Sequence, residues 1–306
     1  MLISVVIPFY NEQENIDELY RRLISIFNKH NNYNFEIIAV NDGSKDDTLN
    51  RLKNYKLKDK RIKIVDLSRN FGHQIAISAG ISFSKGNAVV ILDADLQDPP
   101  ELIPEFINKW REGFEVVYGI REKRKENIFK KVCYYLFYRI LQSISHVNIP
   151  LDSGDCCLMD KKVVDILRNI PERNRFIRGI RSWIGYRQVG IRYERGCRYA
   201  GQPKYTILKL IKLALDGAIS FSHFPLRVSS LLGILISIIS FLIGIILIIK
   251  RLIYGSLVYG LTSIIVSVLF IGGIQLIAIG IIGEYIGRIY DETKQRPIFI
   301  VKEVIE

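Results

Sequence analysis

Short apolar runs alternate with segments of helical periodicity through the first third of the chain. Apolar runs of this length, bounded by turns, are typical of buried strands. They predict strands at residues 3–8, 35–40 and 62–67, and a fourth strand that ends at Asp93. Between them, helical periodicity predicts helices over about 16–27, 47–55 and 73–82. This order predicts an α/β domain with a mostly parallel sheet and helices on both faces.

Two long uncharged stretches follow in the second half. Residues 228–249 carry no charge, and 16 of these 22 residues are Val, Ile, Leu or Phe. A second uncharged stretch covers residues 252–283 and is densest over about 259–283. About 20 apolar residues cross a bilayer core, so the pattern predicts a hairpin of two transmembrane helices. A very apolar pair of core helices is the alternative.

Charges near these stretches predict their orientation. Residues 2–9 have neither the basic start nor the length of a signal peptide, so residues 1–203 are expected in the cytoplasm. Basic residues lie outside the pair on both sides, whereas Lys250 and Arg251 lie in the short loop between the stretches,. The chain is therefore expected in the inner (cytoplasmic) membrane as a multi-pass protein, with its soluble domain and both termini cytoplasmic.

Four regions follow from these patterns. They are a soluble domain over 1–203, a juxtamembrane amphipathic helix over 204–227, the hairpin over 228–283 and a cytoplasmic tail over 284–306. The second region places Lys209, Lys212 and Asp216 on one helical face, as in helices that lie in the membrane interface.

Composition narrows the classes of partner. The net charge of +12 suits a surface that faces anionic lipid and phosphorylated substrates,. A nucleic-acid partner is not expected, because the sequence matches no known nucleic-acid-binding module. The four cysteines lack the spacing of zinc ligands and are expected as reduced thiols.

Carboxylates follow the fourth predicted strand. Asp93 and Asp95 stand one residue apart at its end, and Asp98 comes shortly after. In open α/β sheets the ligand crevice lies past the carboxyl ends of the strands. Two adjacent carboxylates there favour a divalent cation that carries a phosphorylated ligand. An Asp-rich turn stopped by Pro99 and Pro100 is the alternative.

Four motifs in fixed order resemble a known enzyme family. They are SVVIPFYNE at 4–12, VNDGSKD at 40–46, DADLQD at 93–98 and RYAGQPK at 198–204. Together they resemble the family 2 inverting glycosyltransferases, which have the GT-A fold. With two carboxy-terminal apolar stretches and GEYIGRIYDETKQRP at 283–297, the chain is most similar to the polyisoprenyl-phosphate glycosyltransferases. That branch holds dolichol-phosphate mannose synthases and bacterial undecaprenyl-phosphate glucosyltransferases.

The resemblance implies a nucleotide-sugar donor and a metal cofactor, Mg²⁺ or Mn²⁺. A cation held by carboxylates offsets the charge that grows on the leaving diphosphate. Asp95 is the expected metal ligand, with help from Gln97. The resemblance places Asp93 toward the metal or the ribose.

Residues after the first two strands are expected to form the nucleotide pocket. Asp42 ends the second predicted strand, where the family holds base and ribose; a simple Asn-Asp-Gly turn is the alternative. Pro8, Tyr10 and Glu12 are expected to form the other wall. For Tyr10 and Glu12, a loop leading into a helix N-terminus is the alternative.

The expected acceptor is a lipid phosphate. It is already anionic at neutral pH, so it needs charge neutralisation and positioning more than deprotonation. Arg121, Arg198 and Lys204 are the expected phosphate contacts. Asp155, in a turn-rich segment over 152–155, matches the carboxylate that acts in the family as base or orients the acceptor. A helix cap or turn residue is the alternative for Asp155.

Two departures from the family pattern stand out. Cys156 and Cys157 occupy the positions of an aromatic residue and an arginine, so a cation is either missing or supplied by a neighbour such as Arg175 or Arg178. His73-Gln74 replaces the frequent Lys-Glu after Arg69-Asn-Phe-Gly, and His73 is interpreted as a residue of the first helical turn.

The sequence thus predicts inverting transfer of glucose from UDP-glucose to undecaprenyl phosphate. GDP-mannose, a UDP-N-acetylhexosamine and a UDP-aminoarabinose derivative stay open as donors. A processive polysaccharide synthase is disfavoured, because no Gln-x-x-Arg-Trp motif occurs. A catalytically silent nucleotide-sugar-binding scaffold is the alternative of another class. A flippase and a second glycosyltransferase are candidate downstream partners, and the Gly283-x-x-x-Gly287 motif leaves a homo-oligomer open.

Overall fold

The computed structural model describes residues 1–122, 153–173, 175–194, 196, 224–254 and 260–306. The chain divides into two compact units, Met1–Lys212 with Arg296–Glu306, and Leu213–Gln295. Residues 204–223 of the predicted juxtamembrane helix and two of the predicted phosphate contacts, Arg198 and Lys204, lie outside the described residues, whereas residues 224–227 begin a longer helix.

The first unit begins with the predicted alternation of strands and helices. Its first elements are β1 (Leu2–Phe9), α1 (Ile16–Lys29), β2 (Asn34–Asn41), α2 (Thr48–Lys58), β3 (Ile62–Leu67), α3 (His73–Phe83) and β4 (Ala88–Ile91). After a 3₁₀ turn at Pro100–Leu102 come α4 (Ile103–Arg111), β5 (Val116–Glu122), β6 (Ser153–Asp160), α5 (Lys161–Asn169), α6 (Ile177–Ile184) and β7 (Gln188–Glu194). The second unit holds α7 (Phe224–Tyr254) and α8 (Leu261–Thr293), and β8 (Val301–Ile305) closes the chain.

Eight strands form one sheet in the order β7-β5-β6-β4-β1-β2-β3-β8. Parallel pairs join β4, β1, β2 and β3 in the centre, and a further parallel pair joins β5 and β7. β6 runs antiparallel between β4 and β5, and β8 runs antiparallel to β3. The prediction of a mostly parallel α/β sheet is confirmed.

β1 lies in the centre and is covered on both faces. Val5 packs in one core cluster with Leu19 of α1 and Phe106 of α4. On the other face α3 comes so close that a Cβ added at Gly80 would lie 2.2 Å from Cγ1 of Val6. Burial on both faces explains why this strand is a continuous apolar run rather than an alternating one.

The segment predicted as a turn around residues 152–155 instead begins β6. Ser153, Gly154 and Asp155 are its first three residues, and Ser153 pairs with Ile120 of β5. The Asp-Ser-Gly-Asp sequence favours a turn locally, but pairing with β5 overrides that preference,. The interpretation of Asp155 as a helix cap or turn residue is therefore wrong.

The residues after α8 return to the sheet. β8 pairs with β3, and the Ser68 N–H donates to the Ile300 carbonyl at 2.9 Å. An exposed ion pair joins Lys53 to Glu303 at 3.4 Å. The sequence predicted a cytoplasmic tail here but no strand, because five residues of mixed polarity give little periodic signal.

In the second unit, the described residues form two long helices of 31 and 33 residues. Large apolar side chains are exposed on both, for example Phe241 at 70% and Leu276 at 72%. Within the described part of the chain, one stretch, Phe270–Thr293, is long and apolar enough to cross a membrane, and Ser229–Ile243 is a shorter apolar stretch. This supports one candidate span rather than the two that the sequence predicted.

Candidate active site

Polar side chains lie past the carboxyl ends of the central strands. Asp42 directly follows β2, and Asp93 and Asp95 come two and four residues after β4, which ends at Ile91. Pro8 lies near the end of β1. Ligands of open α/β sheets bind at this edge. The predicted donor-site residues are therefore brought to one edge of the sheet.

The register between β4 and β6 adds a residue from far along the chain. Ile91 pairs with Cys157 in the antiparallel ladder. Two residues further along, the same register brings Asp93 opposite Asp155. His73, at the start of α3, lies between the two carboxylates, with its Nε2 atom 3.4 Å from Asp93 Oδ1 and 3.4 Å from Asp155 Oδ2.

Asp155 is clamped through both carboxylate oxygens. Gln74 Nε2 donates to Oδ2 at 3.0 Å, and Arg178 Nη2 donates to Oδ1 at 3.2 Å. The Asp155 side chain is only 11% exposed. Charge-assisted bonds to both oxygens fix the orientation of such a carboxylate.

Charge decides the protonation of this cluster. Burial alone would raise the pKa of Asp155, but Arg178 and His73 outweigh it and hold the pKa well below its usual range. Burial alone would lower the pKa of His73, yet Asp93 and Asp155 raise it to about 9. At neutral pH the cluster therefore contains an ionised Asp155 beside an imidazolium and a guanidinium.

Asp93 has a different environment. Its Oδ1 atom is buried and has no hydrogen-bond partner within the described ranges. Burial raises the pKa of Asp93 to about 6; His73 opposes this, while Asp98, Asp155 and Asp95 add to it. A buried carboxylate among other carboxylates calls for further positive charge. The residues present thus fit a divalent cation.

Asp95 and Gln97 lie on the loop that follows. Asp95 Oδ1 accepts the Gln97 backbone N–H at 3.1 Å, which turns the loop. Among the residues that the structure describes, no group of three or more His, Cys, Asp or Glu side chains is arranged to hold a metal ion. A cation bound by Asp95 and Asp93 would need further oxygens from a ligand such as a diphosphate.

Asp42 is buried and holds the loop before α3. Its Oδ1 accepts the Phe71 N–H at 2.7 Å, and its Oδ2 accepts the Gly72 N–H and the Asn70 side chain, both at 3.0 Å. Burial raises the pKa of Asp42, and the two backbone N–H groups offset this only in part. The carboxylate therefore fixes the loop that delivers His73 to the cluster.

The loop after β1 is tied to the loop after β2. The Asn11 N–H donates to Ser44 Oγ at 3.1 Å, and the Glu12 N–H donates to Thr48 Oγ1 at 3.0 Å. Pro8 is buried in β1, whereas Tyr10 and Glu12 are half-buried. The two predicted walls of the nucleotide pocket thus lie together, and the contacts of Pro8, Tyr10 and Glu12 with a nucleotide stay a prediction.

Arg121 forms a buried network beside this loop. Its Nη2 atom donates to Asp98 Oδ2 at 3.0 Å, and its Nε donates to the Tyr193 hydroxyl at 3.2 Å. The Tyr193 hydroxyl in turn donates to Asp98, which is fully buried. Asp98 and Tyr193 raise the pKa of Arg121 well above its usual range despite burial. The guanidinium is therefore engaged with the protein, and phosphate binding by Arg121 stays a prediction.

The structure also supplies residues that the sequence did not assign. His73 was interpreted as an ordinary helix residue, and Gln74 was noted only as a departure. Arg178 lies against Asp155, whereas Arg175 bonds the Leu167 carbonyl at 2.8 Å instead. One feature of the sequence pointed to Arg178: Cys157 stands where the family has an arginine, so a neighbouring residue was expected to supply the positive charge.

Comparisons with known proteins identify the family of this chain. Residues 4–167 match the family model described as glycosyl transferase family 2. The Bacillus subtilis (strain 168) protein "Uncharacterized glycosyltransferase YkcC" is 49% identical over 98% of this chain and 93% of its own length. The "Bactoprenol glucosyl transferase" of Shigella phage SfV is 42% identical over 99% of this chain and 98% of its own.

Among solved structures, mannosyl-3-phosphoglycerate synthase from Rubrobacter xylanophilus is similar at 16% identity, with a TM-score of 0.46 and 71% of each chain covered. The family match spans more than half of the chain, and the bacterial and phage relatives span nearly all of it. The resemblance read from the motifs, with its GT-A α/β fold, is confirmed. The chain belongs to glycosyltransferase family 2.

Proposed function

We propose that this protein transfers glucose from UDP-glucose to undecaprenyl phosphate, with inversion, and so makes a lipid-linked sugar. The observation that carries the proposal is the cluster of Asp93, Asp155, His73 and Arg178, in which two carboxylates and two cations, all partly exposed, lie together at one sheet edge. Two relatives support the substrates: the proteins of Shigella phage SfV and Escherichia coli K12 are named as a bactoprenol glucosyl transferase and its homologue.

The donor half of the proposal rests on the loop after β4. Asp95 and Asp93, with help from Gln97, would hold a Mg²⁺ or Mn²⁺ ion beside the donor diphosphate. When bound, this ion offsets the negative charge of the departing nucleotide. The buried Asp93 Oδ1 atom, which lacks a hydrogen bond within the described ranges, supports this assignment. Asp42, Pro8, Tyr10 and Glu12 then form the nucleotide pocket.

The acceptor half rests on Asp155. A general base works best when its pKa lies near the working pH. Arg178 and His73 hold the pKa of Asp155 well below its usual range, so it is a poor proton acceptor. We therefore assign Asp155 to positioning the acceptor, through the cations that it holds. Arg198 and Lys204, outside the described residues, are proposed as further contacts to the lipid phosphate.

We further propose that α7 and α8 cross the membrane as a pair. β8 follows α8 and pairs with β3, so the segments before and after the helices belong to one sheet. A crossing by α8 must therefore be matched by another crossing in the opposite direction. At 1.5 Å per residue, α7 is about 46 Å long, longer than a bilayer core of about 30 Å. The exposed apolar side chains of both helices suit contact with lipid,.

The test is a panel of radiolabelled UDP-glucose, GDP-mannose and UDP-N-acetylglucosamine offered to the purified protein in liposomes with undecaprenyl phosphate. The expected result is organic-extractable label from UDP-glucose, lost with EDTA and restored by Mg²⁺ or Mn²⁺. Lipid-linked label from one of the other two nucleotide sugars would identify that sugar as the donor instead of UDP-glucose. Nucleotide-sugar binding without transfer from any donor would favour a scaffold.

A further inference from the structure

Gln74 joins two elements of the active site that are distant along the chain. Its amide Nε2 donates to Asp155 Oδ2 on β6 at 3.0 Å. Its amide Oε1 accepts the backbone N–H of Ile177, the first residue of α6, also at 3.0 Å. One side chain thus bonds to the carboxylate and to the helix that carries Arg178.

These two bonds fix the orientation of the amide. A carboxylate can only accept and a backbone N–H can only donate, so the nitrogen must face Asp155 and the oxygen must face Ile177. Glutamate at this position has the same length but no donor when ionised. It would keep the bond from Ile177 and place a second negative charge against Asp155. Glutamate is frequent at this position in the family pattern, but there a lysine stands in place of His73 and an arginine in place of Cys157, so the surrounding cations differ from those of this chain.

The geometry of the carboxylate gives this amide a role beyond joining helices. Arg178 holds Oδ1 from α6, while Gln74 and His73 approach Oδ2 from the start of α3. Gln74 also sets the start of α6, one residue before Arg178. A shift of this amide would therefore move the carboxylate and its guanidinium partner together.

We propose that Gln74 is a positioning residue for the acceptor half of the reaction, acting through Asp155 and Arg178. This inference rests on the proposed function, in which Asp155 positions the lipid phosphate. The proposed donor site contains Asp42, Asp93 and Asp95, to which Gln74 makes no hydrogen bond among the described contacts.

Two variants of equal length separate the two bonds of Gln74. Gln74→Glu keeps an acceptor for the Ile177 N–H but repels Asp155, whereas Gln74→Met loses both bonds. Gln295→Glu is the matched control, because it makes the same change at an exposed position of the second unit. Each protein is compared with wild type for its melting temperature, its UDP affinity, and kcat and acceptor KM in undecaprenyl-phosphate liposomes.

A positioning role predicts that Gln74→Glu lowers kcat roughly tenfold to hundredfold, more than Gln74→Met does, while UDP affinity stays within a few-fold of wild type. The control keeps wild-type kinetics. A role in joining helices alone predicts the opposite order, with Gln74→Met the more damaged in both melting temperature and kcat. That order, or wild-type kcat in Gln74→Glu, would overturn the proposal.

An Asp155→Asn background tests the contact without any transfer assay. In that background the added carboxylate of Gln74→Glu meets a neutral amide instead of a carboxylate. The fall in melting temperature that repulsion causes in Gln74→Glu should therefore largely disappear. The fall in Gln74→Met, which comes from the lost hydrogen bonds, should persist. If this repair occurs but wild type makes no lipid-linked glucose, the proposed function fails and the Gln74–Asp155 contact stands. If wild type is active and no repair occurs, the inference about Gln74 fails alone.

Discussion

Asp42 and Asp155 are both buried aspartates at the same sheet edge, but they are held by different chemistry. Among the described contacts, the donors to the Asp42 carboxylate are neutral, two backbone N–H groups and one amide, and burial raises its pKa. Asp155 has Arg178 and His73 beside it, and its pKa falls well below the usual range. One carboxylate holds a loop in place, and the other balances charge where a ligand is expected.

The hydrogen-bond partners of a carboxylate at this sheet edge indicate whether it stabilises the fold or acts on a ligand. A carboxylate whose acceptor capacity is used by backbone N–H groups contributes mainly to stability. A carboxylate whose partners are cations, as Asp155 is with Arg178 and His73, keeps positive charge where an anionic substrate can bind. We therefore expect substitutions near Asp42 to alter folding and substitutions near Asp155 to alter turnover.

The largest expected effect is on the metal side of the cluster. Asp95→Ala should leave the protein folded and lower kcat about 10²–10³-fold or more, because the departing diphosphate loses its electrostatic partner. Transfer assays at saturating Mg²⁺ measure this, with Asp165→Ala, an exposed residue of α5 paired with Arg168, as the control. Activity within a few-fold of wild type would remove Asp95 from the metal site.

Arg178→Ala should have the next largest effect. It removes a charged hydrogen bond to a buried carboxylate, which costs about 1.5–3 kcal/mol, or roughly tenfold to hundredfold in kcat/KM for the acceptor. The pKa of Asp155 should rise toward its usual range, so activity should also fall at acidic pH where wild type retains it. Arg175→Ala is the control, since Arg175 bonds carbonyl groups near the end of α5 instead. Equal losses in the two variants would contradict the assignment.

Asp42→Asn should lower stability more than turnover. The amide has one acceptor oxygen, so at least one buried N–H of Phe71 or Gly72 loses its partner at a cost of about 1–3 kcal/mol. Denaturant unfolding measures this loss, and kcat per folded molecule should fall less than in Arg178→Ala. The donor KM also reports whether Asp42 contacts the nucleotide. Unchanged unfolding would show that the loop does not depend on this carboxylate.

His73 should produce the smallest effect, a pH-dependent one. Its pKa is raised from 6.5 to about 9 in the folded protein, so its ion pairs stabilise the metal-free protein fully below about pH 6.5,. That contribution is lost as the pH rises through about 9. The melting temperature of wild type should therefore exceed that of His73→Gln at pH 6, and the gap should close by pH 10. A gap that is independent of pH would rule out the charged imidazole.

Local sequence predicts much of this fold and only part of this site. β1 to β4 are predicted to within two residues, since buried parallel strands are continuous apolar runs between turns,. Asp42, Asp93 and Asp95 follow such strands within four residues and are recognisable for that reason. The contacts of Asp155 with His73 and Arg178 depend instead on the antiparallel register of β6 and on the start of α6, which no local pattern encodes. β8 is missed because its five residues of mixed polarity give little periodic signal.

The most direct test of the account compares wild type with Asp155→Asn in liposomes that contain undecaprenyl phosphate, UDP-[¹⁴C]glucose and Mg²⁺. We expect wild type to make lipid-linked glucose. We expect Asp155→Asn to bind UDP normally but to make this product about a hundredfold more slowly, because Arg178 and His73 lose the carboxylate that places them. Wild-type transfer by Asp155→Asn would contradict the central claim that this charge-balanced cluster carries the acceptor half of the reaction.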